Sequence, residues 1–142
     1  SNITDLKIVE TSGDNNSNND EITEILKHFD LTDTRETWAG NIEDPDIYHP
    51  NVIFVVFKKV KKQDFYPELE LKHFNFTKEM KVEMLEYMHL EKPPTWAGED
   101  FRQSAFIHLN ESTAETLLEV IRHLESLEFI KSVEPGMMVH LT

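Results

Sequence analysis

Cysteine is absent from the 142 residues, glycine is scarce at four, and 14 Lys+Arg face 27 Asp+Glu. Without cysteine there is no disulfide, no thiolate metal ligand and no thiol nucleophile. That composition fits a reducing, cytoplasmic setting. The four glycines build neither a GxGxxG turn nor a P-loop, and the chain holds no GxSxG elbow and no HExxH pair. No apolar run approaches the roughly 18 residues of a bilayer-spanning helix. A net charge of −13 repels phosphate, which disfavours duplex nucleic acid and anionic membranes. No cofactor is expected, and no catalytic motif marks the chain as an enzyme.

What is present is a folded-chain composition, 39% hydrophobic, with length enough for one ordinary core. Residues 1–142 read as a single domain, in which residues 1–19 are a partly mobile strand and polar loop. The charge is uneven. Residues 1–50 hold 12 acids and 3 bases, residues 51–98 hold 7 and 8, and residues 99–142 hold 8 and 3. Solubility accounts for about 2–8 net charges in a small domain. The surplus reads as a negative surface that attracts a basic partner.

Leu6–Val9 alternates like a short strand, and Thr11–Asn19 is an Asn/Ser-rich loop. Asp20 caps a helix carrying Ile22, Ile25, Leu26 and Phe29 on one stripe. Residues 30–50 form a long connection whose Trp38 and Tyr48 call for partial packing. Val52–Val60 is the strongest strand signal, apolar on both faces at first and therefore central in a sheet. Glu68–Phe76 alternates as its hairpin partner. Thr77 caps a helix over about 78–91, with Met80, Met84, Leu85, Tyr87 and Met88 on its stripe. Ala105–Leu109 is a short strand. Ser112-Thr113-Ala114-Glu115 reads as a capping box opening a helix with Leu117, Leu118, Ile121, Leu124 and Leu127. Pro135-Gly136 turns into a last strand, Met137–Leu141. The expected fold is an α+β two-layer sandwich with a ferredoxin-like β-α-β-β-α-β core and an added helix and strand.

Both tryptophans lie in one repeated tetrapeptide, Thr37-Trp38-Ala39-Gly40 and Thr95-Trp96-Ala97-Gly98. The reading preferred for both is a loop corner, with Trp filling a gap and Gly turning the chain. The sharper reading is a pair of surface loops that present Trp to a ligand.

The main functional expectation is a non-catalytic, acidic protein-binding module, of which an immunity- or antitoxin-type inhibitor of a basic toxin or nuclease is one instance. Its partner-binding residues would be Asp33, Glu36, Trp38, Glu43, Asp44, Asp46 and Tyr48 from the long connection. Trp96, Glu99, Asp100 and Phe101 would join them from the start of the C-terminal third. The partner would be a basic protein, with nucleic acid and membrane excluded. The alternative is a metal-dependent enzyme or small-ligand-binding domain, its cleft lined by the two TWAG loops and His49, His108 or His140. A strand-borne trio of His73, His108 and His140 is its candidate zinc set. Asp14-x-Asn16-x-Asn18-x-Asp20 imitates a calcium loop but puts Ile25 where a bidentate Glu is required.

Overall fold

The computed structural model describes residues 15–40, 48–62, 69–87 and 104–137. They form helix α1 (Asn15–Leu26), strand β1 (Tyr48–Phe57), strand β2 (Val82–Tyr87), strand β3 (Ser104–Leu109), helix α2 (Ala114–Glu125) and strand β4 (Ile130–Met137). Two short 3-10 turns, Leu71–Phe74 and Lys78–Met80, lie between β1 and β2. The class is mixed α+β, with one four-stranded sheet in the order β2-β3-β1-β4. Every neighbouring pair is antiparallel.

β1 is central because its sequence is apolar on both faces. Ile53, Val55 and Phe57 point into the core, where Ile53 and Val55 are fully buried. From β3, Ala105, Ile107 and Leu109 join them, and from β4, Val133. α2 closes this side with Leu117, Ile121 and Leu124 of the expected stripe and with Val120, while Leu118 is half-buried and Leu127 lies past the helix end. Each buried side chain contributes about 1.5–3 kcal/mol on leaving water. An aromatic cluster completes the core. Phe74 stacks on Phe76 at 5.4 Å and meets Phe129 edge-on at 5.3 Å, and Phe129 also neighbours Phe57 and Phe29.

Several expected elements come out differently. Asn15–Asn19 is helical, so α1 starts earlier than Asp20, and Phe29 lies past its end, bridging to Val60. Over residues 69–76, the described part of the expected strand Glu68–Phe76, there is no hairpin partner. Leu71–Phe74 is a 3-10 turn, closed by Asn75 in the left-handed conformation at φ 55. Over its described residues 78–87, the helix expected for 78–91 is a single 3-10 turn, stopped by Lys81 at φ 53, and then strand β2. Val82–Tyr87 satisfies a strand pattern as well as a helical one, and pairing with β3 decides between them. A register shift between Val82 and Met84 masks the strand alternation in the sequence.

The C-terminal strand also begins earlier, at Ile130, and runs through Pro135-Gly136 instead of starting after it. β4 is an edge strand, where Pro is tolerated. A Cβ on Gly136 would meet Val52 Cβ at 3.1 Å, so glycine allows the close approach of β4 to β1. The expected strand Leu6–Val9 and the residues 138–142 lie outside the described residues.

The α2 cap is shifted by one residue. The Thr113 side chain accepts the Thr116 N–H at 3.2 Å, while Ser112 donates its own N–H to Asn51 Oδ1 at 2.8 Å. Thr113→Ala is therefore expected to cost about 1 kcal/mol in urea unfolding, and Ser112→Ala a few tenths at most. Equal losses would place the cap elsewhere.

Candidate functional site

The long connection expected to hold the partner-binding acids is, over residues 30–40, a clasp on the edge of the fold. Asp33 accepts from the Lys59 N–H at 3.1 Å and the Thr34 N–H at 3.0 Å, and pairs with Lys131 at 3.4 Å. Burial opposes its charge, yet the Lys59 N–H and the Lys131 ammonium outweigh it and hold its carboxyl below the usual range. Glu36 points outward, but its N–H donates to the Lys131 carbonyl at 2.8 Å and covers part of the β4 edge. Arg35 donates to the Leu127 carbonyl at 2.6 Å and the Ile130 carbonyl at 3.4 Å.

Trp38 is tied at both backbone ends. Its N–H donates to Glu125 Oε2 at 2.7 Å, and its carbonyl accepts from Arg122 at 3.0 Å. Arg122 in turn pairs with Glu125 at 2.7 Å. The indole packs half-buried against the core, and a Cβ on Gly40 would strike its ring, which explains glycine two residues on. The gap-filling part of the corner reading thus holds for Trp38, and Asp33 and Trp38 are structural anchors, while the chain beyond Gly40 lies outside the described residues. Glu43, Asp44, Asp46, Trp96, Glu99, Asp100, Phe101, His140 and the second TWAG lie outside the described residues. Tyr48 opens β1, opposite Met137 of β4.

The proposed histidine trio does not assemble. His73 is in a 3-10 turn, not a strand, and faces α1, whereas His108 on β3 contacts Glu86 of β2 at 3.1 Å. His49 is exposed, and its Nδ1 accepts the Asn51 N–H at 3.1 Å. The calcium-loop imitation is ruled out by the helix over Asn15–Leu26.

A different cluster sits where α1 meets the first 3-10 turn. Glu21, Glu70 and His73 bring ligating atoms within 4.8 Å of one another. Two contacts argue against a metal ion. Lys72 Nζ lies 3.0 Å from Glu21 and 3.4 Å from Glu70, so a cation already serves both carboxylates. The Glu70 N–H donates to His73 Nδ1 at 2.9 Å, so Nδ1 is bare and the neutral ring carries its proton on Nε2. Nε2 is the atom that faces Glu21, at 3.4 Å, without a hydrogen bond. A metal-binding imidazole does the reverse, donating its second N–H and ligating through the bare nitrogen. The cluster is an ion-pair network that docks α1. The Lys72 hydrogen bond holds Glu21 below the usual carboxylate range and raises Lys72.

The exposed chemistry lies on the sheet face opposite α2. One row crosses all four strands: Glu86 pairs with Phe106, Phe106 with Phe54, and Phe54 with Glu134. The two central rings lie 5.4 Å apart, tilted by 54°. Both are half-exposed, and the carboxylates at the ends are exposed. The next row holds Met84, His108 and Val52, with Met84 41% exposed. On the other side Val56 and Ser104 are buried, which bounds the open ground. No Lys or Arg stands among the residues paired in these rows, and none of the ion pairs among the described residues involves Glu134. Charge of one sign thus flanks an aromatic centre.

Sequence reasoning missed Phe54, Phe106, Glu86 and Glu134. The strands of the first two were recognised, and alternation within VIFVVF and AFIHL sets both phenylalanines opposite the core residues. Glu86 was hidden by the helical reading of its segment. No family model, curated protein or solved structure matches the chain. Among the described residues, no helix is long and apolar enough to cross a membrane.

Two outcomes test these assignments. Glu125→Ala, which orphans the Trp38 N–H, is expected to destabilise by about 1–3 kcal/mol, while Glu36→Ala stays within about 0.5 kcal/mol. Similar losses for the two would undo the clasp. Burial also holds the His73 imidazole below its ordinary value of 6.5, with Glu21 opposing only in part. The unfolded chain then binds more protons below that pH, so stability is complete above it and falls as pH drops through it. The urea midpoint should fall between about pH 7.5 and about pH 5.5, and His73→Gln should flatten that fall. Loss of the Glu21 and Asp33 contributions comes later, below the ordinary carboxylate range.

Proposed function

We propose that the protein is a non-catalytic binding module that captures a basic protein partner on the open face of its sheet. The observation that carries this reading is the row Glu86–Phe106–Phe54–Glu134. Half-exposed aromatic rings supply anchoring area, and Arg or Lys stacks favourably on such rings. The flanking carboxylates select cationic side chains. The overall charge of −13 steers such a partner from a distance. The same charge argues against nucleic acid, although paired aromatics on a sheet are also a way to stack bases.

The binding surface is accordingly moved from the 30–40 segment, whose polar groups are largely spent on the fold, to the sheet. The geometry favours the binding class and does not reach the narrower immunity or antitoxin assignment, which rests on size and acidity alone. The sheet order, with β1 to β2 and β3 to β4 each passing over one strand, supports a ferredoxin-like arrangement. In it the first crossover carries 3-10 turns where a helix is customary.

Titration with a fluorescent nona-arginine peptide tests the surface. Phe54→Ala or Glu134→Gln should weaken binding at least about 5-fold, a hot-spot loss. Glu119→Gln, which removes an equal charge from the exposed face of α2, should change it by less than about 2-fold. Added salt should slow association more than it speeds dissociation. Equal effects of Glu134→Gln and Glu119→Gln would reduce the interaction to net charge and sink the proposed face.

A further inference from the structure

Resting on the basic-partner reading, we infer that the sheet face takes an extended segment laid across the strands, with arginines four residues apart and an apolar residue midway. The row sets the spacing. Glu86 and Glu134 occupy the two outer strands, with Phe106 and Phe54 between them. Three inter-strand steps of about 4.8 Å separate the ends by about 14 Å. An extended chain rises about 3.4 Å per residue and repeats its side-chain direction every second residue. Its residues i, i+2 and i+4 thus share one side and span about 14 Å. Arginine at i and i+4 meets the two carboxylates, and the apolar side chain at i+2 lies over the ring pair.

The chemistry at each point agrees with this occupant. Glu134 is exposed, without an ion-pair partner among the described residues, and can take a guanidinium in its two-pronged geometry. Glu86 holds His108 Nε2 through Oε1 at 3.1 Å and keeps Oε2 for an incoming cation. The rings at 5.4 Å and 54° leave a shallow apolar step between them instead of a closed cage. Exposed Met84 beside the row adds an adaptable apolar contact. Charge complementarity fixes the sign of the occupant, and the strand spacing fixes its register.

Two synthetic peptides of one composition separate the possibilities: Arg-Ser-Leu-Ser-Arg, and Arg-Arg-Leu-Ser-Ser with the cations adjacent, each between identical neutral flanks. The expected result is at least about fivefold tighter binding of the first, with Glu134→Gln erasing the preference. Glu134→Gln keeps an exposed side chain of the same shape, so it serves where Phe54→Ala disturbs folding. Equal binding of both peptides, still weakened by Glu134→Gln, overturns the spacing while the basic-partner reading stands. If neither peptide nor nona-arginine binds, both are overturned.

Discussion

The fold depends on a strand that is apolar on both sides. β1 sends Ile53, Val55 and Phe57 to one face and Val52, Phe54 and Val56 to the other. Val56 of the second set is buried too, but Val52 and Phe54 stay half-exposed, because α2 and the aromatic cluster lie on the first side. β3 repeats the division, with Ala105, Ile107 and Leu109 inside and Phe106 and His108 outside. A core of this kind can be stable with one face closed, because an antiparallel sheet tolerates a wet side. That side normally carries polar residues. Here its centre is aromatic, and the departure from the usual pattern is what makes the face a candidate site.

The acidity has two distinct uses. Asp33 and Glu125 are drawn into the structure, the first accepting two backbone N–H groups and the second one, and each is paired with a base. Charges of this kind hold the 30–40 segment against β4 and α2, and they contribute little field outside. Glu86 and Glu134 remain in water at the ends of the aromatic row. Net charge alone does not distinguish these populations. The same holds for histidine: His73 is sealed in a network whose backbone contact selects the wrong tautomer for a metal, while His108 orients a surface carboxylate.

Legibility depended on the range of the interaction. The α2 helix was plain because a polar cap and a helical apolar period are both local, although the cap is Thr113 and not the Ser112 of the expected box. β1 was plain because β-branched residues are dense in it, and part of the long connection before it was correctly expected to pack, through Trp38. Residues 69–87 depart from the expectation in two places. Leu69 and Leu71 alternate with Glu70 and Lys72 as in a strand, yet both are buried, with Phe74 and Phe76, around a 3-10 turn. Met80, Met84, Leu85 and Tyr87 suit a helix, yet Lys81 breaks the chain and β3 captures residues 82–87 as a strand. A bulge conceals the strand period there, and no local rule reveals it.

By itself the sequence determined the α+β class, the central strand, the second helix, the acidic balance and the absence of the common catalytic motifs. Those features come from local periodicity, capping and composition. Only the tertiary structure decided which acids are spent on the fold and which face solvent. It also decided that Phe54 and Phe106 lie side by side between two carboxylates. The reason is physical: strand pairing joins residues some fifty positions apart, and its register comes from burial on the other face of the sheet.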